Sequence, residues 1–262
     1  MKRLHLSYDM LIEYSEEVQK CNFTIKCIPE DTLRQKISNI KIEIEPDVKY
    51  FYGKDGLRNT QIYGVNEVPH KSFKFHIEAD AQTGFDDCET EVNDDLDMIF
   101  KHEHGLNVAG AAIRDFYDSI KIPDDCVDLH DRALLFMRAL SENFEYKSNS
   151  TDVNTSAEEA FAQGFGVCQD YAHIFISLLH LNGISARYVT GFIVGEGESH
   201  AWVEVLCNNK WQGFDPTHNQ TINDEYIKLC IGRDAKDCMI NRGIMHGGGL
   251  HTQKVSVQVN EG

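Results

Sequence analysis

The sequence predicts an α+β fold in two successive parts, an antiparallel β domain over residues 1–82 and a mixed unit over residues 83–262. Two patterns carry that prediction. Up to about residue 80, apolar and polar side chains alternate with the period of a half-buried strand, as in Ile40-Lys-Ile-Glu-Ile-Glu45. Helical periodicities follow, and then strands, without the strand–helix–strand alternation of a parallel sheet. A third observation marks the centre of the second part. Gly164-Phe-Gly-Val-Cys168 delivers a cysteine to the start of a helix that is apolar on almost every face, as a central buried helix would be.

In the first part, Phe23, Ile25 and Cys27 share one face of a strand, and Phe73, Phe75, Ile77 and Ala79 share one face of another. Tyr50-Phe-Tyr-Gly-Lys-Asp-Gly56 and Gln61-Ile-Tyr63 read as a hairpin about a glycine-bracketed turn. No catalytic constellation lies there. The acidic run from Phe85 to Asp97 reads as a solvated connection. It lacks the glycine and terminal glutamate of an EF-hand loop. His102-Glu-His104 is too short for a pair of helix-borne zinc ligands.

Two amphipathic helices come next. Ala109, Ala112, Ile113, Phe116 and Ile120 line one, and Leu129, Ala133, Phe136, Met137, Leu140 and Phe144 line the other. Thr155 and Ser156 with Glu158 and Glu159 form two overlapping capping boxes for a short helix before the cysteine turn. The cysteine helix stops at Asn182-Gly183. Strands are expected over Ile184–Ile193, His200–Leu206, Trp211–Phe214 and Lys254–Val259, with His246-Gly-Gly-Gly249 as a turn before the last.

The chemistry sits at element edges. A helix start favours a thiolate, because its N–H groups lack partners and its dipole is positive there. His200 opens one strand, and Asp215, held extended by Pro216, closes another. Cysteine, histidine and acid in that order are the parts of a thiol acyl-transfer site. Singly, each residue is more often structural. Asp170 is expected to cap its helix, and His173 to lie satisfied in the interior.

Gly-Val-Cys168-Gln-Asp-Tyr-Ala-His173, Gly183-Ile-Ser-Ala-Arg-Tyr-Val189, Ser199-His-Ala-Trp-Val-Glu204 and Gly213-Phe-Asp-Pro-Thr217 resemble the bacterial transglutaminase-like proteins, relatives of the papain-type cysteine proteases. The resemblance runs over nearly the whole chain. It implies a papain/transglutaminase-like cysteine-enzyme core preceded by an antiparallel β domain, with Cys168, His200 and Asp215 as a catalytic triad. The implied activity is hydrolysis or acyl transfer at a peptide or glutamine-type amide, through a thioester. The Cys168 N–H is one expected oxyanion donor. The upstream indole that serves some transglutaminases is missing, since Trp202 and Trp211 lie downstream, which leaves Gln163 and Tyr146 to consider. A peptide-binding module without turnover is the alternative.

Composition narrows the partners. A net charge of -17 argues against nucleic acid and weakly favours cationic or amine-bearing ligands. No apolar run suits a signal peptide or a membrane span, and eight cysteines without a CxxC pair suggest reduced thiols in the cytoplasm. No metal or cofactor is expected, because no cysteine–histidine set has zinc spacing. A peptide or protein amide substrate is expected, with water or an amine as acceptor. The motif does not say which, nor whether the protein oligomerises.

Overall fold

β1 (Lys2–Ile25) is the spine of the first sheet, and its buried Leu4, Leu6, Tyr8 and Met10 alternate with outward residues to give one face to the core. The structure, a computed structural model, describes residues 1–88, 90–91 and 95–262. Residues 89 and 92–94, within the acidic run read as a connection, lie outside the described residues. After β1 come β2 (Gln35–Glu45), β3 (Tyr50–Lys54), β4 (Thr60–Asn66) and β5 (His70–Thr83). β5 pairs antiparallel with both β1 and β2, and β3 with β4 forms the hairpin expected about Gly56.

The second unit begins with β6 (Thr90–Glu91), α1 (Ala111–Ser119), α2 (Leu129–Asn143) and β7 (Glu145–Tyr146). It continues through α3 (Ala157–Gln163), β8 (Phe165–Gly166) and α4 (Cys168–Leu181). Of the two capping boxes, Ser156 and Glu159 form the one that caps α3. Glu158 instead accepts from the N–H groups of Gly110, Ala112 and Ile113 and so caps α1. α4 is buried from Asp170 to Leu179, with α1, α2 and α3 packed around it.

A sheet then lies against α4. β9 (Ala186–Ile193), β10 (Gly195–Gly197), β11 (His200–Cys207), β12 (Lys210–Asp215), β13 (Gln220–Thr221) and β14 (Tyr226–Gly232) follow in the chain. The sheet runs β13-β12-β11-β9-β14, with β6 on β12. The alternation pattern does not announce β14. Lys228 interrupts its apolar run, yet that lysine is buried, with Nζ 2.7 Å from Glu204.

The chain ends in β15 (Asn241–Gly247) and β16 (His251–Glu261), which pair with β1 and not with the strands beside α4. The stretch 246–249 is a turn only from Gly248, since β15 runs through Gly247. β10 also leaves its neighbours in sequence and pairs with β16. One continuous apolar core joins the two sheets, with Tyr8 against Phe192 at 5.7 Å between ring centroids. Polar stitches cross beside it: Gln35 exchanges side-chain hydrogen bonds with the Lys228 backbone at 2.9 and 3.0 Å. The first sheet is thereby fixed against the strands that carry His200 and Asp215.

Candidate active site

The turn before Cys168 holds one shape. α3 ends on Gly164 in the left-handed conformation (φ 80°), which L side chains rarely adopt. Two residues on, a Cβ at Gly166 would collide with the Asp170 carboxylate. That carboxylate accepts from the Val167 N–H at 2.8 Å and from the Thr151 hydroxyl at 2.6 Å. Burial pushes the Asp170 carboxyl up, against the pull of those two bonds. Asp170 thus caps α4 as expected. Cys168, half-buried, occupies the first helical position, where the backbone N–H has no intrahelical partner.

His200 links sulfur to carboxylate. Its Nε2 lies 2.7 Å from Asp215 Oδ2, and the Cys168 thiol lies near enough to the ring to raise its pKa. With Nε2 committed to Asp215, Nδ1 is the nitrogen left for sulfur. Burial pulls the imidazole down, but the Asp215 bond and the nearby Cys168 thiol outweigh it and hold it at about 9, above its ordinary 6.5. The ring stacks on buried Trp202, at 6.4 Å between centroids, and Tyr226 meets Trp202 edge-on at 5.4 Å. This apolar shelf screens the His200–Asp215 bond from water.

Asp215 is fully buried and heavily bonded. Oδ2 receives His200, His218 Nδ1 and the Tyr226 hydroxyl, each at 2.7 Å. Oδ1 accepts the Thr217 and His218 N–H groups at 2.9 and 3.2 Å. Burial pushes this carboxyl up, yet the His200, His218 and Tyr226 bonds bring it down to about 2. Of the three residues singled out in the sequence, His200 and Asp215 are hydrogen-bonded, and Cys168 lies near the His200 ring. His218 and Tyr226 were not singled out. His218 had a local signal, three residues after an aspartate whose carboxylate closes a turn, whereas Tyr226 comes from β14 and had none.

Other expectations resolve differently. His173 is buried, and its Nε2 accepts the Ala235 N–H at 3.1 Å, but its Nδ1 has no partner among the described residues. It is only half satisfied. Gln163 turns its amide back onto the Glu159 carbonyl at 3.1 Å, and Tyr146 lies exposed on β7. Neither is presented as an oxyanion donor by these contacts.

His200, Asp215 and His218 are also a possible metal-ligand set, their ligand atoms within 4.8 Å of one another. Sequence spacing does not reveal it, since the two histidines are 18 positions apart in the chain and come together, 5.2 Å between ring centroids, beside Asp215. Its dimensions favour hydrogen bonds. A tetrahedral zinc with bonds of about 2.0 Å separates its ligand atoms by roughly 3.3 Å, whereas both imidazoles here sit 2.7 Å from the same carboxylate oxygen.

The sequence profile of the Transglutaminase-like superfamily matches residues 121–216, a segment that contains Cys168, His200 and Asp215. Residues 121–216 are a transglutaminase-like core. The chain is 36% identical over 125 residues to an uncharacterized protein of Mycobacterium leprae, covering 44% of each chain. It is 34% identical over 120 residues to one of Mycobacterium tuberculosis, covering 40% of this chain and 38% of that one. The chain thus spans less than half the length of the curated relatives it matches. The crystal structure of a candidate cysteine protease from Cytophaga hutchinsonii superposes over 99% of this chain and 90% of that one, with a TM-score of 0.81 at 19% identity. That likeness covers the β domain and the transglutaminase-like core together, so the two proteins share one fold over nearly the whole chain.

No helix among the described residues is long and apolar enough to cross a membrane, and none of the eight cysteines is in a disulfide.

Proposed function

We propose that this transglutaminase-like protein is a cysteine-dependent enzyme that cleaves or transfers an acyl group from a peptide or glutamine-type amide. One observation carries the reading: His200, through Nε2 at 2.7 Å, is bonded to the buried Asp215 carboxylate, with the Cys168 thiol near enough to act on the same ring. Cys168 passes its proton to His200, and the sulfur attacks the amide carbon. The oxyanion forms beside the N–H at the start of α4, where donor and dipole both favour negative charge. His200 then protonates the departing nitrogen, the C–N bond breaks, and a thioester remains. In the second half His200 takes a proton from the acceptor, which attacks the thioester and restores the thiol. Asp215 fixes the ring orientation and stabilises the imidazolium in both halves.

Water is the acceptor we favour, because the papain-type mechanism is near and no site for a protein amine is recognisable. That makes the protein an amidase or protease and not a cross-linking enzyme. A glutamine peptide incubated with the protein, with and without excess small primary amine, separates these by mass spectrometry. Release of ammonia or a cleaved peptide in both mixtures is the expected result. Efficient amine incorporation would overturn the choice of acceptor, and an unchanged peptide in both mixtures would overturn catalysis on glutamine.

A further inference from the structure

A cleft of about 630 Å³ runs beside the triad, in the size range of small-ligand and peptide-side-chain sites. One wall includes Gln169 and Ser199, the chain neighbours of Cys168 and His200. Tyr8 and Val255, from β1 and β16, line the cleft as well. The first sheet therefore builds part of the surface that a substrate of Cys168 would meet.

The charges in this cleft run against the rest of the chain. The protein has 42 acidic and 25 basic residues, and several lysines elsewhere are captured in ion pairs, among them Lys20–Glu67, Lys54–Glu30 and Lys74–Glu45. The cleft holds two cations, Lys236 and Arg242, against one carboxylate, Glu198. Neither cationic side chain has a hydrogen bond or ion pair among the described residues. Lys236 lies near the cysteine helix, for its charge reinforces burial in holding His173 down to about 4, with Asp234 opposing.

We propose that the acyl donor is anionic, carrying a carboxylate close to its scissile amide, and that Lys236 and Arg242 hold that carboxylate in the cleft. This rests on the amide-cleaving reading given above and names the substrate class for it. The overall charge of -17 opposes an acidic ligand at long range. Beyond about 8 Å, however, physiological salt screens that repulsion. Lys236 and Arg242 are exposed, so the attraction acts at contact, where the planar fork of arginine matches a carboxylate with charge-assisted hydrogen bonds. Contact decides over the distant field. The first sheet becomes the selecting wall, because it contributes Arg242 from β15.

Binding can be read apart from turnover. The Cys168→Ala protein would be titrated at about 0.15 M salt with three fluorescent pentapeptides, each a central glutamine flanked by glutamates, serines or lysines. The glutamate peptide should bind at least about tenfold tighter than the serine peptide. The double variant Lys236→Gln/Arg242→Gln should lose that preference, and Glu198→Gln should strengthen it. Equal binding, a preference for the lysine peptide, or a preference surviving in the double variant would each overturn the inference. Turnover of the same peptides by the unmodified protein tests the other reading. Equal turnover of all three removes acidic selection and leaves the enzyme, while selective binding without turnover removes the enzyme and leaves the anionic cleft.

Discussion

Two fully buried carboxylates stand on neighbouring strands of the second sheet, and their surroundings differ in kind. Glu204 on β11 is held by a guanidinium and an ammonium, Arg187 Nε at 2.6 Å and Lys228 Nζ at 2.7 Å, with Arg187 lying over the Trp211 ring at 4.2 Å. Asp215 on β12 contacts two imidazoles and a phenol at 2.7 Å each. Both carboxyls are held below their ordinary range in spite of burial, Glu204 by Arg187 and Lys228, Asp215 by His200, His218 and Tyr226. A carboxylate paired with an arginine and a lysine from neighbouring strands ties those strands together. One whose main partner can gain or lose a proton can take part in proton transfer. A perturbed buried acid is therefore a weak functional signal until its partners are known.

Exchanging each acid for its amide sharpens the contrast. Asp215→Asn should lower kcat by roughly 10²–10⁴-fold in the folded fraction, because the amide neither fixes the His200 tautomer nor stabilises its charge. Glu204→Gln should act on stability instead. Leaving two cations buried without a counter-charge costs about 3–5 kcal/mol, read as a lower denaturation midpoint, while the folded fraction keeps near-normal kcat. If Glu204→Gln were kinetically dead and stable, the division between the two carboxylates would collapse.

The two sites also differ in what pH does to them. His200 is raised from 6.5 to about 9, so its pairing with Asp215 contributes fully below pH 6.5 and is lost as pH rises through about 9. Asp215 is lowered from 3.8 to about 2, so its contribution is present above pH 3.8 and is lost as pH falls through about 2. A pH–rate profile should therefore fall on its alkaline side near pH 9, where His200 no longer carries the proton for the leaving nitrogen. An alkaline limb near pH 6.5 would show an unperturbed histidine. The smallest effects are expected at the outer partners of Asp215. Tyr226→Phe and His218→Gln each remove one hydrogen bond to the ionised carboxylate, worth about 1.5–3 kcal/mol, and should lower kcat by less than Asp215→Asn does.

Legibility from sequence followed the same line between local and distant cause. Cys168, His200 and Asp215 each sit at an element edge within a short motif, and the structure brings the three together. The capping role of Asp170 was also readable, being a local contact three residues long. Tyr226 was not, because β14 meets β12 only through tertiary packing, and a buried lysine disguises the strand that carries it. The fold shows the same limit. Alternation identified strands near both chain ends, but nothing in the period of β16 says that its partner is β1, at the far end of the chain. Pairing over that distance is set by the shared apolar core and the cross-strand register, which no local window contains.

The central claim, that Cys168 is an activated nucleophile, is tested most directly by the rate at which each cysteine is alkylated. Iodoacetamide at neutral pH, quenched over time and mapped by peptide mass spectrometry, gives separate rates for Cys168 and for the other seven cysteines. Cys168 should be modified fastest, and its rate should fall in Asp215→Asn and hold in Glu204→Gln. Slow modification of all eight at similar rates, or a Cys168 rate indifferent to Asp215, would contradict the account.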